Sequence, residues 1–93
     1  MTSRITKIDD SHGRLVLLRV EGSLRLADAE VLEEAYKTLR QNHSGLIGID
    51  LSNTNFLDSD SASVLHRLQT QGAQLLGLHF FIKRVIETAE NAQ

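Results

Sequence analysis

Along this chain the spacing of apolar residues changes several times, and each change predicts an element. Ile5 to Ile8 is a short β-like run, closed by the turn-rich cluster Asp9-Asp10-Ser11-His12-Gly13. Leu15 to Val20 follows at once, so the first two strands are expected to pair as an antiparallel hairpin. Glu21-Gly22-Ser23 then breaks the pattern. Asp28 to Gln41 reads as a helix, because Val31, Leu32, Ala35, Tyr36 and Leu39 fall on one stripe. Its acids come first and Lys37 and Arg40 come late, an order that complements the helix dipole, with Glu33 and Lys37 at i,i+4 spacing. Leu46 to Leu51 is apolar enough for a central strand. Ser59 or Asp60 to Gln71 predicts a second helix with Ala62, Leu65 and Leu68 inward, stopped by Gly72. Leu75 to Phe80 reads as a fourth strand. Phe81 or Ile82 to Ala89 reads as a closing helix with the stripe Ile82, Val85, Ile86 and Ala89.

Alternation within the strands predicts how they are covered. Val16, Leu18 and Val20 share one face, as do Ile47, Ile49 and Leu51, and Leu76, Leu78 and Phe80. Arg19, Gly48, Asp50, Gly77 and His79 interrupt the opposite faces. One wholly apolar face and one interrupted face predict an α/β sandwich: a small mixed β-sheet with helices packed mainly on one face. A hairpin leads into β-α units, with parallel crossovers late in the chain. Ninety-three residues are expected to form one domain, 1–93, with a single core.

Composition narrows the function classes. Apolar residues make up 41% and charged residues 24%, ordinary proportions for a globular protein. A formal charge of −2 gives no basic face for nucleic acid. The absence of cysteine removes disulfides and thiolate metal sites, and no cofactor is called for. No apolar run suits a signal peptide or a membrane span, so a cytoplasmic domain without direct membrane insertion is expected.

The stretch from Ile47 to Leu65 concentrates the candidate chemistry: a buried strand, a polar loop and a helix start crowded with hydroxyls and carboxylates. Asp58-Ser59-Asp60-Ser61 is read first as capping, since Asp or Ser at an N-cap accepts from backbone N–H groups and contributes about 1 kcal/mol. Four polar residues exceed what one cap needs, and a hydroxyl at a helix start is well placed to carry phosphate. Asp58 and Asp60 oppose that charge. Asp50, with Asp9 and Asp10, suggests a two-component receiver, but Leu15 follows Gly13 too closely for the helix such a fold needs. Asp50 is therefore read as a loop-capping carboxylate and Asp9-Asp10 as a turn. His66 stands two turns beyond Ser59, about 10 Å along the helix, too far to act as its base. His66 and Arg67 are expected on an exposed polar face. His12, His43 and His79 share no metal-ligand spacing. The residues thus contain no nucleophile–base pair, metal cluster or phosphate loop, and an enzyme is not expected.

Ile49-Asp50-Leu51-Ser52, followed by Phe56-Leu57-Asp58-Ser59, resembles the signature of the STAS domain, the module of anti-sigma factor antagonists and sulphate-transporter tails. Val20-Glu21-Gly22-Ser23-Leu24 and Gly72-Ala73-Gln74-Leu75 extend the resemblance over most of the chain. It implies a small mixed sheet with helices largely on one side. It also implies a protein-binding regulator whose Ser59 is phosphorylated by a kinase-type anti-sigma factor, with the unphosphorylated form binding that kinase. Asp58, Ser59, Asp60, Ser61, Asn53 and Asn55 would form the partner surface. Asp60 replaces the family's usual Ser, and Ser61 its usual Gly. These departures leave two readings: a switch with altered kinase preference, or a non-switching subunit such as that of a lipid-transport ABC system, bound to its ATPase. A nucleotide near Asn53–Asn55 is left open.

Overall fold

The computed structural model describes residues 3–9 and 14–77. β1 (Arg4–Asp9) and β2 (Leu15–Leu24) lead into α1 (Leu26–Asn42). β3 (Leu46–Leu57), α2 (Ser59–Thr70) and β4 (Gln74–Leu76) follow. The strands form one mixed sheet in the order β1-β2-β3-β4. β1 is antiparallel to β2, whereas β2–β3 and β3–β4 are parallel, because a helix returns the chain each time. The expected hairpin and late parallel crossovers are both present.

The core lies between one sheet face and the two helices. Val20, Ile47, Ile49 and Leu51 meet Ala29, Leu32 and Tyr36 of α1 and Ala62, Leu65 and Leu68 of α2, all buried. Burying a side chain of Val or Leu size contributes about 1.5–3 kcal/mol, so each of these residues stabilises the packing of the helices on the sheet. Tyr36 donates its hydroxyl to the Gln71 carbonyl at 3.0 Å, tying α1 to the end of α2. Arg40 Nη1 donates to the Gly45 carbonyl at 2.9 Å, bracing the turn into β3. On the open face, Leu17 and Leu76 close over Gly48, where a Cβ would lie 2.8 Å from Leu17 Cδ2 and 3.0 Å from Leu76 Cδ1.

Several sequence expectations are corrected. Glu21-Gly22-Ser23 does not end β2. The strand absorbs it with register shifts between Arg19 and Glu21 and between Gly22 and Ser23, and Gly22 takes φ 90°, open to glycine without steric cost. β3 likewise continues past Leu51 to Leu57, so Asn53 to Asn55 is strand rather than loop. Buried Thr54 accounts for this, since its hydroxyl donates to the Val20 carbonyl at 3.0 Å. α1 begins at Leu26, and Val31 is 60% exposed and off the core stripe. In β4 the faces are exchanged: Leu75 lies opposite Ile49 and packs on the core, while Leu76 lies opposite Asp50 and is 38% exposed. Leu78, Phe80, the turn at 10–13 and the expected closing helix lie outside the described residues.

Candidate functional site

Parallel pairing decides where the site forms. Ser23 pairs with Phe56 and Leu24 with Leu57, so β2 and β3 end side by side and α1 and α2 start side by side. Asp58 is the N-cap of α2, in an extended conformation with φ −86° and ψ 169°. Its Oδ1 accepts from the Ser61 N–H at 2.8 Å. Burial pushes the Asp58 pKa up, but the Ser61 hydroxyl and N–H, the Leu26 N–H and the Arg25 charge outweigh it and hold the carboxyl below the ordinary aspartate range. The carboxylate caps α2, and the Leu26 N–H and the Arg25 charge across the strand ends help to hold it ionised.

Ser59 and Asp60 are exposed on the first turn of α2. The Ser59 carbonyl accepts from Ser63 Oγ at 3.2 Å, while its own hydroxyl side stays open to solvent. Ser61 is corrected: it is fully buried, because its position turns towards the core beside Ala62 and Leu65, and it cannot form part of a partner surface. Its hydroxyl lies near enough to Asp58 to affect that carboxyl, yet falls short of hydrogen-bond geometry. Asn55 is exposed and its Oδ1 accepts from Ser23 Oγ at 3.5 Å, joining the two strand ends. Asn53 is exposed further back along β3, opposite Glu21.

Arg25 and Leu26 went unmarked in the sequence reading. The Arg25 guanidinium carbon lies 4.6 Å from the Phe56 ring centroid, a cation–π contact that spans the strand ends. Leu26 is 40% exposed at the first position of α1. A strand-helix-strand-helix order with parallel pairing was the signal that could have placed both helix starts together.

Asp50 sits apart on the open sheet face. It accepts from Arg19 Nε at 3.2 Å, from the Ser52 N–H at 3.0 Å and from the Ser52 hydroxyl. The Ser52 hydroxyl is the main cause that lowers its pKa, against the opposing effect of burial, with the Ser52 N–H and Arg19 adding to it. The expected loop-capping role is corrected: β3 runs on to Leu57, and Asp50 binds Ser52 of its own strand and Arg19 of β2. His66 is half-buried rather than exposed. Arg67, exposed as expected, crosses to α1 and meets Glu33 through two bonds, at 2.8 and 3.0 Å. Among the described residues no group of three His, Cys, Asp or Glu could hold a metal ion. No helix among them is long and apolar enough to cross a membrane.

Among the described residues, a mixed four-stranded sheet with two helices on one face and an acid-capped, hydroxyl-bearing helix start defines a small α/β sandwich of STAS type. Residues 8–89 match the family model described as "Mlab, STAS domain". The chain belongs to the STAS domain family. It is similar to the crystal structure of an antisigma-factor antagonist STAS domain from Rhodobacter sphaeroides, with 26% identity and a TM-score of 0.62 over 81% of this chain and 86% of that one. It is also similar in fold to the anti-sigma factor antagonist SpoIIAA in its unphosphorylated form, at 18% identity and TM-score 0.67, over 90% of this chain and 82% of that one. None of the curated proteins compared with the chain matches it.

Proposed function

We propose that this protein is a cytoplasmic, non-enzymatic regulator that binds a kinase-type anti-sigma factor through the start of α2, and that Ser59 is the phosphoacceptor that switches binding off. The observation that carries this reading is the division of labour among the two serines: Ser59 is exposed at the first helical position, whereas Ser61 is sealed beneath it. Free N–H groups and the helix dipole favour added negative charge there. Asp60 opposes it, so phosphate on Ser59 would sit in a strained electrostatic balance and repel an acidic partner surface. The similarity to the Rhodobacter antagonist supports the choice of partner.

Titration of the purified kinase-type anti-sigma factor from the same genome tests the reading. Ser59→Asp is expected to weaken binding about tenfold or more, and Ser59→Ala to leave it within about twofold of wild type. Intact mass after incubation with that kinase and ATP should rise by one phosphate in the wild type and not in Ser59→Ala. If both variants bind like wild type, the switch is lost and only the interaction survives.

A second reading is favoured by Asp60 itself. A fixed carboxylate one residue from Ser59 supplies negative charge permanently, as suits a non-switching subunit of a larger assembly such as a lipid-transport ABC system. That reading expects co-purification with an ATPase in fixed stoichiometry and no modified form.

A further inference from the structure

We infer that the partner surface continues from the start of α2 onto the start of α1, with Leu26 as its apolar anchor and Arg25 as its cation. This rests on the reading of the protein as a binder of a kinase-type anti-sigma factor, and it names residues that neither the family signature nor the Asp58–Ser61 run contains. Leu26 stands three positions before buried Ala29, on the side of α1 that faces the core. The sheet beneath it ends at Leu24 and Leu57, so the first turn overhangs the last strand pair and the leucine stays 40% exposed. Among the described residues, the other large exposed apolar side chains lie elsewhere, Val31 on the flank of α1 and Leu46 and Leu76 on strands. Leu26 follows directly on the Leu24–Leu57 pair, at the end of the sheet where α2 also starts.

Charge fixes the kind of surface that fits. Arg25 stands on the α1 side, held over Phe56, and exposed Asp60 stands on the α2 side. The complementary face of the anti-sigma factor is an apolar socket for Leu26, with an acidic group towards Arg25 and a basic one towards Asp60. A large apolar side chain ringed by charges is the usual make-up of an interface anchor. The arrangement also accounts for the sign of the switch. A phosphate on Ser59 would repel the acidic group facing Arg25 and compete with it for the guanidinium.

Titration calorimetry against the purified kinase-type anti-sigma factor tests this with the full chain. Leu26→Glu and Arg25→Glu are each expected to weaken binding about tenfold or more, and Leu26→Ala somewhat less. Val31→Glu and Leu46→Glu, equally surface changes, should stay within about twofold of wild type. Thermal melts of every variant separate lost binding from lost fold, and Leu26→Gln serves where Leu26→Glu unfolds. Leu26 and Arg25 variants that bind within twofold, while Ser59→Asp still weakens binding, overturn the surface and leave the functional reading standing. Losses as large at Val31 or Leu46 overturn it too, since the effect would then not be local. A wild-type protein that fails to bind removes the functional reading, and this surface with it.

Discussion

At the start of α2 the N-cap residue caps its own helix, with Asp58 accepting from Ser61 N–H. At the start of α1 the N-cap residue is Arg25, whose side chain has donors only and can satisfy none of the helix's free N–H groups. α1 instead draws on acids from two directions. Arg25 N–H donates to Asp28 Oδ2 at 3.4 Å, and Leu26 N–H faces Asp58, which belongs to the other helix. The difference teaches that the family's motif acid is spent inward. Asp58 caps α2 and is held ionised in part from the α1 side, while Ser59 and Asp60 beside it meet solvent.

The largest test of that asymmetry is Asp58→Ala. It should cost about 2 kcal/mol, the upper end for a cap, because it removes the acceptor of the Ser61 N–H and the negative charge beside the Leu26 N–H and Arg25. Chemical denaturation measures the loss, and amide exchange should quicken at Leu26 as well as Ser61. Quickening confined to Ser61 would break the comparison.

Acid should reproduce part of this effect. Asp58 is depressed in the fold, so its contribution is complete above the ordinary aspartate range and is lost as pH falls through the folded value. Depressed Asp50 and Glu33 act in the same direction. Asp58→Asn should therefore flatten the acid limb of stability against pH without removing it.

Ser61→Ala should stabilise the protein by about 1 kcal/mol, since it removes a buried hydroxyl with poor hydrogen-bond geometry and installs a better helix former. A raised melting temperature checks it. Asp28→Ala should have the smallest effect, about 0.5 kcal/mol, because its bond to Arg25 N–H is long and exposed.

Much of the fold was legible because period 2 and period 3.6 alternate cleanly, and the STAS order of elements agreed with them. The errors have physical causes. Glu21-Gly22-Ser23 looks like a break in one dimension, but a bulge beside a long parallel partner keeps such a segment in the sheet. Leu75 and Leu76 are identical side chains, so alternation could not choose between faces; pairing with Ile49 does. Glu33 had Lys37 at favourable helical spacing, yet its hydrogen-bonded partner is Arg67, 34 residues away, a contact no local pattern can show. At the candidate site, the capping role of Asp58 was legible from type and order. The burial of Ser61 and the arrival of Arg25 and Leu26 depend on how two strands end together, which is tertiary information.

The β2–β3 ladder has a last consequence, for folding. Its partners are some 31 residues apart in the chain, as Arg19 and Asp50 are, and loop closure must precede the contacts that reward it. A peptide covering only β3 and α2 would thus carry Asp58, Ser59 and Asp60 yet lack half of what orders them. Grafting the serine-bearing turn onto another scaffold would transfer a sequence without the α1 start that lies beside it. A refolding chain brings the starts of α1 and α2 together only when that long loop has closed.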